Sequence, residues 1–412
     1  MAQPIDEAGL ARLLAETPSL FLPGCTGEPR RLRAMAIRQP GLTASCAVLT
    51  SFVAGLNDFA TPLLTASPRV TGFFPAPGPR YRQLVSTYAG IDACLRACQP
   101  GLVCLPVTRP DARGHVWPGV SAEFVATALE TAAVRVALVS DQLPVIGADD
   151  GVPLAAFTHV LTDDQPPLMR ADEPVDDTMA AIGRHLATLI PDGATLQTGI
   201  GKVPAALFAS LGGHRRLRIH TGMATGGLRG LVEAGALTRE APVVCATLLG
   251  DRDFYRWLDG RQDIALRPIS HTHNAAVLAG LPALVAVNSA IEVDLLGQVN
   301  AERIGDTVVS APGGLPDFAA AAHRAADGLS IIALPSTDAR GRHSRIVARL
   351  AAGTPVSVAR HDVDVVVTEQ GIADLRGLTT GERALALVAV AAPAFRPALR
   401  AALDAALEAS PA

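Results

Sequence analysis

Within residues 285–318, two carboxylates, an amide and a glycine pair at strand ends are of the types that could form an acyl-transfer pocket. Asn288 closes an apolar run that begins at Ala283. Ile291-Glu292-Val293-Asp294-Leu295 then alternates apolar and acidic residues, Gly297 marks a turn, and Val308-Val309 lead into Gly313-Gly314 and Asp317-Phe318. Positions four apart in a strand face the same side, so Asn288 and Glu292 could enter one pocket. An outward-facing Glu292 on a half-buried strand fits the same spacing. The amides of Gly313 and Gly314 could meet an oxyanion, or the pair could simply make a tight turn.

Other motifs admit comparable pairs of readings. Thr198-Gly199-Ile200-Gly201-Lys202-Val203-Pro204 follows a strand and opens a helix. Glycines there let the backbone approach a ligand, and helix amides can take a phosphate or pyrophosphate; an ordinary strand-to-helix turn reads alike. His220-Thr221-Gly222-Met223 ends another strand, where a histidine is commonly a structural hydrogen-bonder. Ser270-His271-Thr272-His273-Asn274 has two possible metal ligands but no spaced Cys or carboxylate partner, so a structural loop is expected and no metal. Ser336-Thr337 and Ser344-Arg345-Ile346-Val347 flank a cluster of Arg340, Arg342 and Arg345, which could meet phosphates or form a solvated loop. Glu369, at the end of the apolar run 363–367 with Gly371 two residues on, is well placed for a pocket.

Positioning these residues requires alternating strands and helices. In the first half the patterns predict a helix over 6–18 and strands at 20–22 and 45–50. A helix near 87–98, a strand at 101–107, a helix over 121–131 and a strand at 134–139 follow. Such a rhythm indicates a parallel sheet with crossover helices. Residues 141–178 are rich in Pro, Asp and Gly, and their later part reads as an interdomain linker. The second half repeats the rhythm with strands at 195–197, 217–220, 243–246, 283–287, 330–334 and 363–367. Its helices are expected at 178–189, 204–210, 226–233, 382–391 and 394–407. Loops at the carboxyl ends of such strands are where open α/β sheets bind ligands.

Composition agrees with that architecture. The 412 residues are 49% hydrophobic, 18% charged and only 4% aromatic, so large cores must be built from Ala, Leu, Val and Ile, as in parallel sheets covered by helices. Net charge is −4, which provides no basic field for nucleic acid. No run approaches the roughly 18 apolar residues of a membrane span, and the acidic, amphipathic start lacks signal-peptide character. The six cysteines form no CxxC pair, which reads as buried free thiols in a cytoplasmic protein.

Several ordered segments resemble the acetyl-CoA hydrolase/transferase family, grouped with the class I CoA-transferases: GIGKVP at 199–204, NSAIEVDLLGQVNAE at 288–302, GGLPDF at 313–318, LPST and SRIV within 334–347, and TEQGIADLRG at 368–377. PGCTGEP at 23–29 and DARGHVWPG at 111–119 are similar to its first-domain motifs. The resemblance implies two related open parallel-sheet α/β domains, here expected over 1–176 and 177–412, with the active site in the cleft between them. It further implies coenzyme A, bound as an acyl-CoA thioester, a possible carboxylate acceptor, and a homo-oligomer such as a homodimer. Expected CoA contacts are Gly199, Gly201, Lys202, Pro204, Gly313, Ser344 and Arg345.

Members that transfer CoA use a glutamate nucleophile in a segment like 220–223, where this chain has Gly222. Three readings follow. In a hydrolytic one, Glu292 or Glu369, with a raised pKa, acts as general base on water, with Asn288 and the Gly313 and Gly314 amides on the carbonyl oxygen and His220 nearby. In a second, Glu292 replaces the missing nucleophile. In a third, the protein is a catalytically silent acyl-CoA-binding protein.

Overall fold

The computed structural model describes residues 2–147 and 151–408; residues 148–150 of the Pro/Asp/Gly-rich stretch lie outside the described residues. The chain forms two compact units. One comprises the chain up to Ala171 together with Pro242–Thr272, the other Asp172–Ala241 and the chain from His273 onward. The sequence division at 176/177 assigned everything after the linker to one domain, whereas 242–272 packs with the first unit. This excursion keeps the strand–helix rhythm, as Val243–Leu249, Arg252–Leu258 and Ile264–Leu266, so periodicity gives no sign of it.

The first unit holds a parallel sheet in the order Gln3–Pro4, His159–Asp163, Val134–Ser140, Leu102–Thr108, Ser19–Leu22, Ala47–Thr50, Val70–Gly72, Tyr81–Gln83. After Tyr81–Gln83 the chain returns across Ser19–Leu22 to lay Leu102–Thr108 on its other side. The order therefore reverses beside Ser19–Leu22, the kind of switch point where open α/β sheets leave a crevice. The expected helices over 6–18 and near 87–98 form as Glu7–Glu16 and Tyr88–Cys98. Asp6 caps Glu7–Glu16 by accepting from the Gly9 N–H at 2.8 Å, and Leu10 and Leu14, one turn apart, are fully buried against the sheet. Each such leucine contributes about 1.5–3 kcal/mol.

In the second unit the strands run Arg218–Thr225, Thr195–Thr198, Leu284–Ser289, Leu329–Ala333, Val365–Thr368, Gly371–Asp374, parallel except for the last hairpin. Thr379 and Glu382 make a capping box for helix Thr380–Val390, which packs into the core with Leu334, Val366 and Leu399. A small sheet of Val299–Asn300, Glu292–Asp294 and Ile346–Val347 stands beside it. Among the described residues no helix is long and apolar enough to cross a membrane.

Two local departures from expectation matter for chemistry. The predicted helix over 121–131 is confined to Val125–Thr131. Residues 120–122 instead bond to a strand of the same unit, through Ala122 N–H to the Ala246 carbonyl at 2.9 Å and Leu248 N–H to the Val120 carbonyl at 2.8 Å. That pairing turns Glu123 inward. Cysteine exposure also divides: Cys25, Cys46, Cys104 and Cys245 are buried, Cys94 is half-buried and Cys98 exposed.

At the reversal point the turn after Ser19–Leu22 is held tightly. Gly24 lies so close to the neighbouring backbone that a Cβ would sit 1.9 Å from the Ser51 carbonyl oxygen. Cys25 has φ +49°, a region costly for a residue with a Cβ. Asn57 clamps it: its Oδ1 accepts from the Cys25 N–H at 2.9 Å and the Val53 N–H at 3.0 Å, and its Nδ2 donates to the Cys25 carbonyl at 3.1 Å and to Glu28 at 3.0 Å. Asn57→Ala orphans these buried groups at about 1–3 kcal/mol each before relaxation. We expect a net loss of about 2–5 kcal/mol, read as a lower urea midpoint at unchanged slope.

Candidate active site

Within the second unit, three backbone-linked segments bring several of the expected residues together. The Val293 N–H donates to the Arg345 carbonyl at 2.9 Å, and the Arg345 N–H to the Ser336 carbonyl at 2.9 Å. Ser336 in turn holds Glu369, its N–H donating to Oε2 at 2.9 Å and its hydroxyl to Oε1, while Gln370 donates to Oε1 at 3.1 Å. Both oxygens of Glu369 are thus occupied. Partial burial opposes its charge, but the Ser336 and Gln370 bonds outweigh it and hold the carboxyl below the usual range. The expected raised, basic Glu369 is therefore corrected to an ionised acid that ties two strand-end loops together.

Glu292 is arranged differently. Its Oε1 accepts from Asn300 Nδ2 at 3.0 Å, while Oε2 has no hydrogen-bond partner among the described residues. Asn300 is buried, and its Nδ2 also donates to the Arg303 carbonyl at 2.7 Å; its Oδ1 accepts from the N–H groups of Glu302 and Arg303, both at 3.0 Å. An immobile amide therefore orients a half-buried carboxylate with one oxygen to spare. Asp294 is spent on its own turn, accepting from the Leu296 and Gln298 N–H groups at 3.0 and 2.9 Å.

Asn288 does not share a strand with Glu292. It ends Leu284–Ser289, whereas Glu292 begins a strand of the small sheet, so the four-residue spacing rule does not span the break. Its side-chain amide exchanges bonds with Gln197, at 3.0 and 3.3 Å, and ties two central strands at their carboxyl ends.

The space beside Gly222 is occupied. A Cβ there would meet His273 Cε1 at 2.9 Å and Nε2 at 3.2 Å. The His273 ring packs edge-on to Phe318 with centroids 4.8 Å apart, and His220 lies 6.5 Å from the same ring. His273 is 3% exposed. Burial, with His220 second, pushes its pKa down to about 3, so it is neutral at physiological pH. The 270–274 loop thus contributes a packed aromatic contact.

Of the expected CoA contacts, Gly201 has φ +102° and caps helix Lys202–Ser210. A Cβ at Gly199 or Gly201 would meet nothing within 4 Å, so the turn is open. Lys202 reaches Asp176 at 3.4 Å, and Pro204 lies buried in the first turn, where no intrahelical N–H bond is lost. Gly313 (φ +57°) and Gly314 start helix Leu315–Arg324, which presents Phe318 to His273. The Ser344 hydroxyl donates to the Ile346 carbonyl at 2.6 Å.

The sequence reading passed over a buried polar cluster in the first unit. Cys25, Glu123 and Thr247 are all buried, and Thr247 is hydrogen-bonded to Ser121 at 3.3 Å. Burial pushes the Glu123 carboxyl up to about 7 and the Cys25 thiol well above its usual value. Its only sequence signal was the turn motif Pro23-Gly24-Cys25-Thr26-Gly27-Glu28-Pro29, because Glu123 sat inside a segment read as helix.

Comparison with known proteins agrees with this architecture and with the motifs. Residues 250–403 match the acetyl-CoA hydrolase/transferase C-terminal domain. A 4-hydroxybutyrate coenzyme A transferase from Clostridium kluyveri is 34% identical over 298 residues, 71% of this chain and 70% of that protein. A succinyl-CoA:acetate/propanoyl-CoA:succinate CoA transferase from Fasciola hepatica is 36% identical over 307 residues, 72% of this chain and 64% of that one. The crystal structure of a 4-hydroxybutyrate CoA-transferase from Porphyromonas gingivalis superposes with a TM-score of 0.83 at 28% identity, covering 98% of each chain. With ordered motifs, sheet topology and relatives in agreement, this chain belongs to the acetyl-CoA hydrolase/transferase family.

Proposed function

We propose that the protein binds small or aliphatic acyl-CoA thioesters and hydrolyses them, with Glu292 as general base. The carrying observation is the Glu292 carboxylate, with one oxygen fixed by buried Asn300 and the other without a hydrogen-bond partner among the described residues. That is the form of an oriented base. Glu292 takes a proton from water as the water oxygen attacks the thioester carbonyl. The tetrahedral oxyanion is met by amides at the Gly313-Gly314 helix start. The C–S bond then breaks, and the CoA thiolate leaves with the proton held by Glu292. Asn288, engaged with Gln197, is a brace between strands in this scheme, and Glu369 is a positioning residue for the 336–345 loops. The open turn at Gly199, Gly201 and Lys202 is suited to the pyrophosphate of CoA, with Ser344 and Arg345 as further contacts. The working form is a cytoplasmic homo-oligomer.

Transfer through a glutamyl thioester at position 222 has no side chain to use, and His273 fills the volume one would need. That packing also favours the reading of a silent acyl-CoA-binding protein. Free-thiol release from a panel of acyl-CoAs, with and without carboxylate acceptors, discriminates. Release without acceptor, lowered on the order of 10²–10⁴-fold by Glu292→Gln, is the expected result. Exchange that needs an acceptor, with borohydride inactivation lost in the same variant, makes Glu292 the nucleophile instead. CoA binding without turnover identifies the silent protein.

The packing beside Gly222 makes a separate prediction. Gly222→Ala pushes a methyl group into an imidazole that Phe318 keeps from moving, which costs about 1–3 kcal/mol. In Gly222→Ala/His273→Ala the clash disappears, so the double variant loses less stability than the two single changes summed. Additive losses in thermal unfolding would show that the two positions do not compete for the same space.

A further inference from the structure

The excursion 242–272, which packs with the first unit, also closes a cavity there, and the hydrolysis scheme uses none of its residues. Helix Arg252–Leu258 faces the loops that follow strands Val134–Ser140 and His159–Asp163, at the carboxyl ends where open α/β sheets take ligands. Hydrogen bonds stitch these pieces together. The Arg170 N–H donates to the Gly250 carbonyl, the Gly260 N–H to the Val145 carbonyl and the Gly147 N–H to the Arg261 carbonyl, each at 2.9 Å. The Val145 N–H donates to Asp259 Oδ1 at 2.9 Å, and the Tyr255 hydroxyl to the Leu168 carbonyl at 2.7 Å. They enclose a cavity of about 320 Å³, the size of a small-molecule site.

Floor and rim of the cavity differ in chemistry. Leu143, Pro144 and Tyr255 are buried, and Pro166, Pro167 and Met169 are half-buried beside them. With the Tyr255 hydroxyl spent on Leu168, the floor is apolar. The rim is charged. Arg252 and Arg256 are exposed and, four positions apart, share one face of their helix. The Arg252 guanidinium has no ion-pair or hydrogen-bond partner among the described residues, and Arg256 has only the exposed Asp253 at 3.4 Å, a pair of a kind that holds weakly. Both acids of the rim are already engaged. Asp141 pairs with Arg109 at 2.6 Å, and Asp259 receives the Val145 N–H. The uncommitted charge is therefore positive.

We propose that this cavity is a binding site for small aliphatic monocarboxylates, with the chain on the apolar floor and the carboxylate on Arg252 and Arg256. A guanidinium presents parallel N–H donors that match the two oxygens of a carboxylate. Asp141 and Asp259 narrow the choice of anion. Their negative charge opposes a dianion such as phosphate, whereas a single charge is met by two arginines. A polar tail would leave water for prolines and a methionine that offer it no hydrogen bond. The assignment is independent of the Glu292 scheme, with which it shares no residue.

Modification of the full chain by phenylglyoxal, an arginine reagent, is followed residue by residue with peptide mass mapping. Butyrate and hexanoate are expected to slow labelling of Arg252 and Arg256, the half-protecting concentration falling about fourfold for each added methylene. Butyramide, which keeps the chain but has no charge, and inorganic phosphate, which has charge but no chain, should protect far less. In Arg252→Ala, protection of Arg256 should need on the order of 10–10²-fold more hexanoate. Arg252 is exposed, so that variant should fold, and its thiol release from acyl-CoAs should be unchanged. Labelling that ignores hexanoate, equal protection by acetate and hexanoate, or protection by phosphate as strong as by hexanoate each overturns the assignment and leaves the Glu292 scheme standing.

Discussion

A carboxyl group carried inside at the end of a strand must be hydrogen-bonded or protonated, because charge cannot be left bare where water does not reach. The acids of this protein meet that demand in different ways, and their chemistry follows. Glu369 is satisfied by Ser336 and Gln370 and stays ionised. Asp294 is absorbed by its own turn. Glu123 meets it largely by holding its proton, with a pKa near 7. Glu292 is half-committed, one oxygen on Asn300 and one to spare. An acid already saturated with donors can position a loop but has little left with which to receive a proton.

Volume is the complementary constraint. Close-packed interiors tolerate neither voids nor intruding methyl groups, and the small residue at 222 is matched by a large one at 273. The imidazole that fills the gap is neutral because it is buried. With a pKa near 3 it is a weak base, and it reads as packing against Phe318 in place of a compensating catalyst. Gly222 and His273 are thereby packed as part of a core.

Both units place their polar residues at the ends of parallel strands, where crossover connections leave side chains from several loops converging. In the second unit, Asn288 and Gln197 join adjacent strands at the point where the order reverses. In the first, Asn57 stabilises the strained turn at the corresponding reversal. The buried amides do the holding, and the more reactive groups are mounted on what they hold.

Much of this was legible in the residues themselves. Strand–helix alternation and the ordered motifs from Gly199 to Gly377 are local properties, encoded in neighbours a few positions apart, and they determined the fold class and the family. Local patterns could not say which distant group each polar side chain would meet. The spacing of Asn288 and Glu292 implied one face, but the strand ends between them. Glu369 looked like a base until Ser336, 33 residues away, supplied two of its three bonds; Glu123 looked helical until 120–122 paired with a strand more than 100 residues on. The sequence by itself determined which elements form and what chemistry they carry. Only the tertiary structure decided which acids are saturated and what fills the space beside Gly222, because hydrogen-bond partners and packing volumes are set by contacts far apart along the chain.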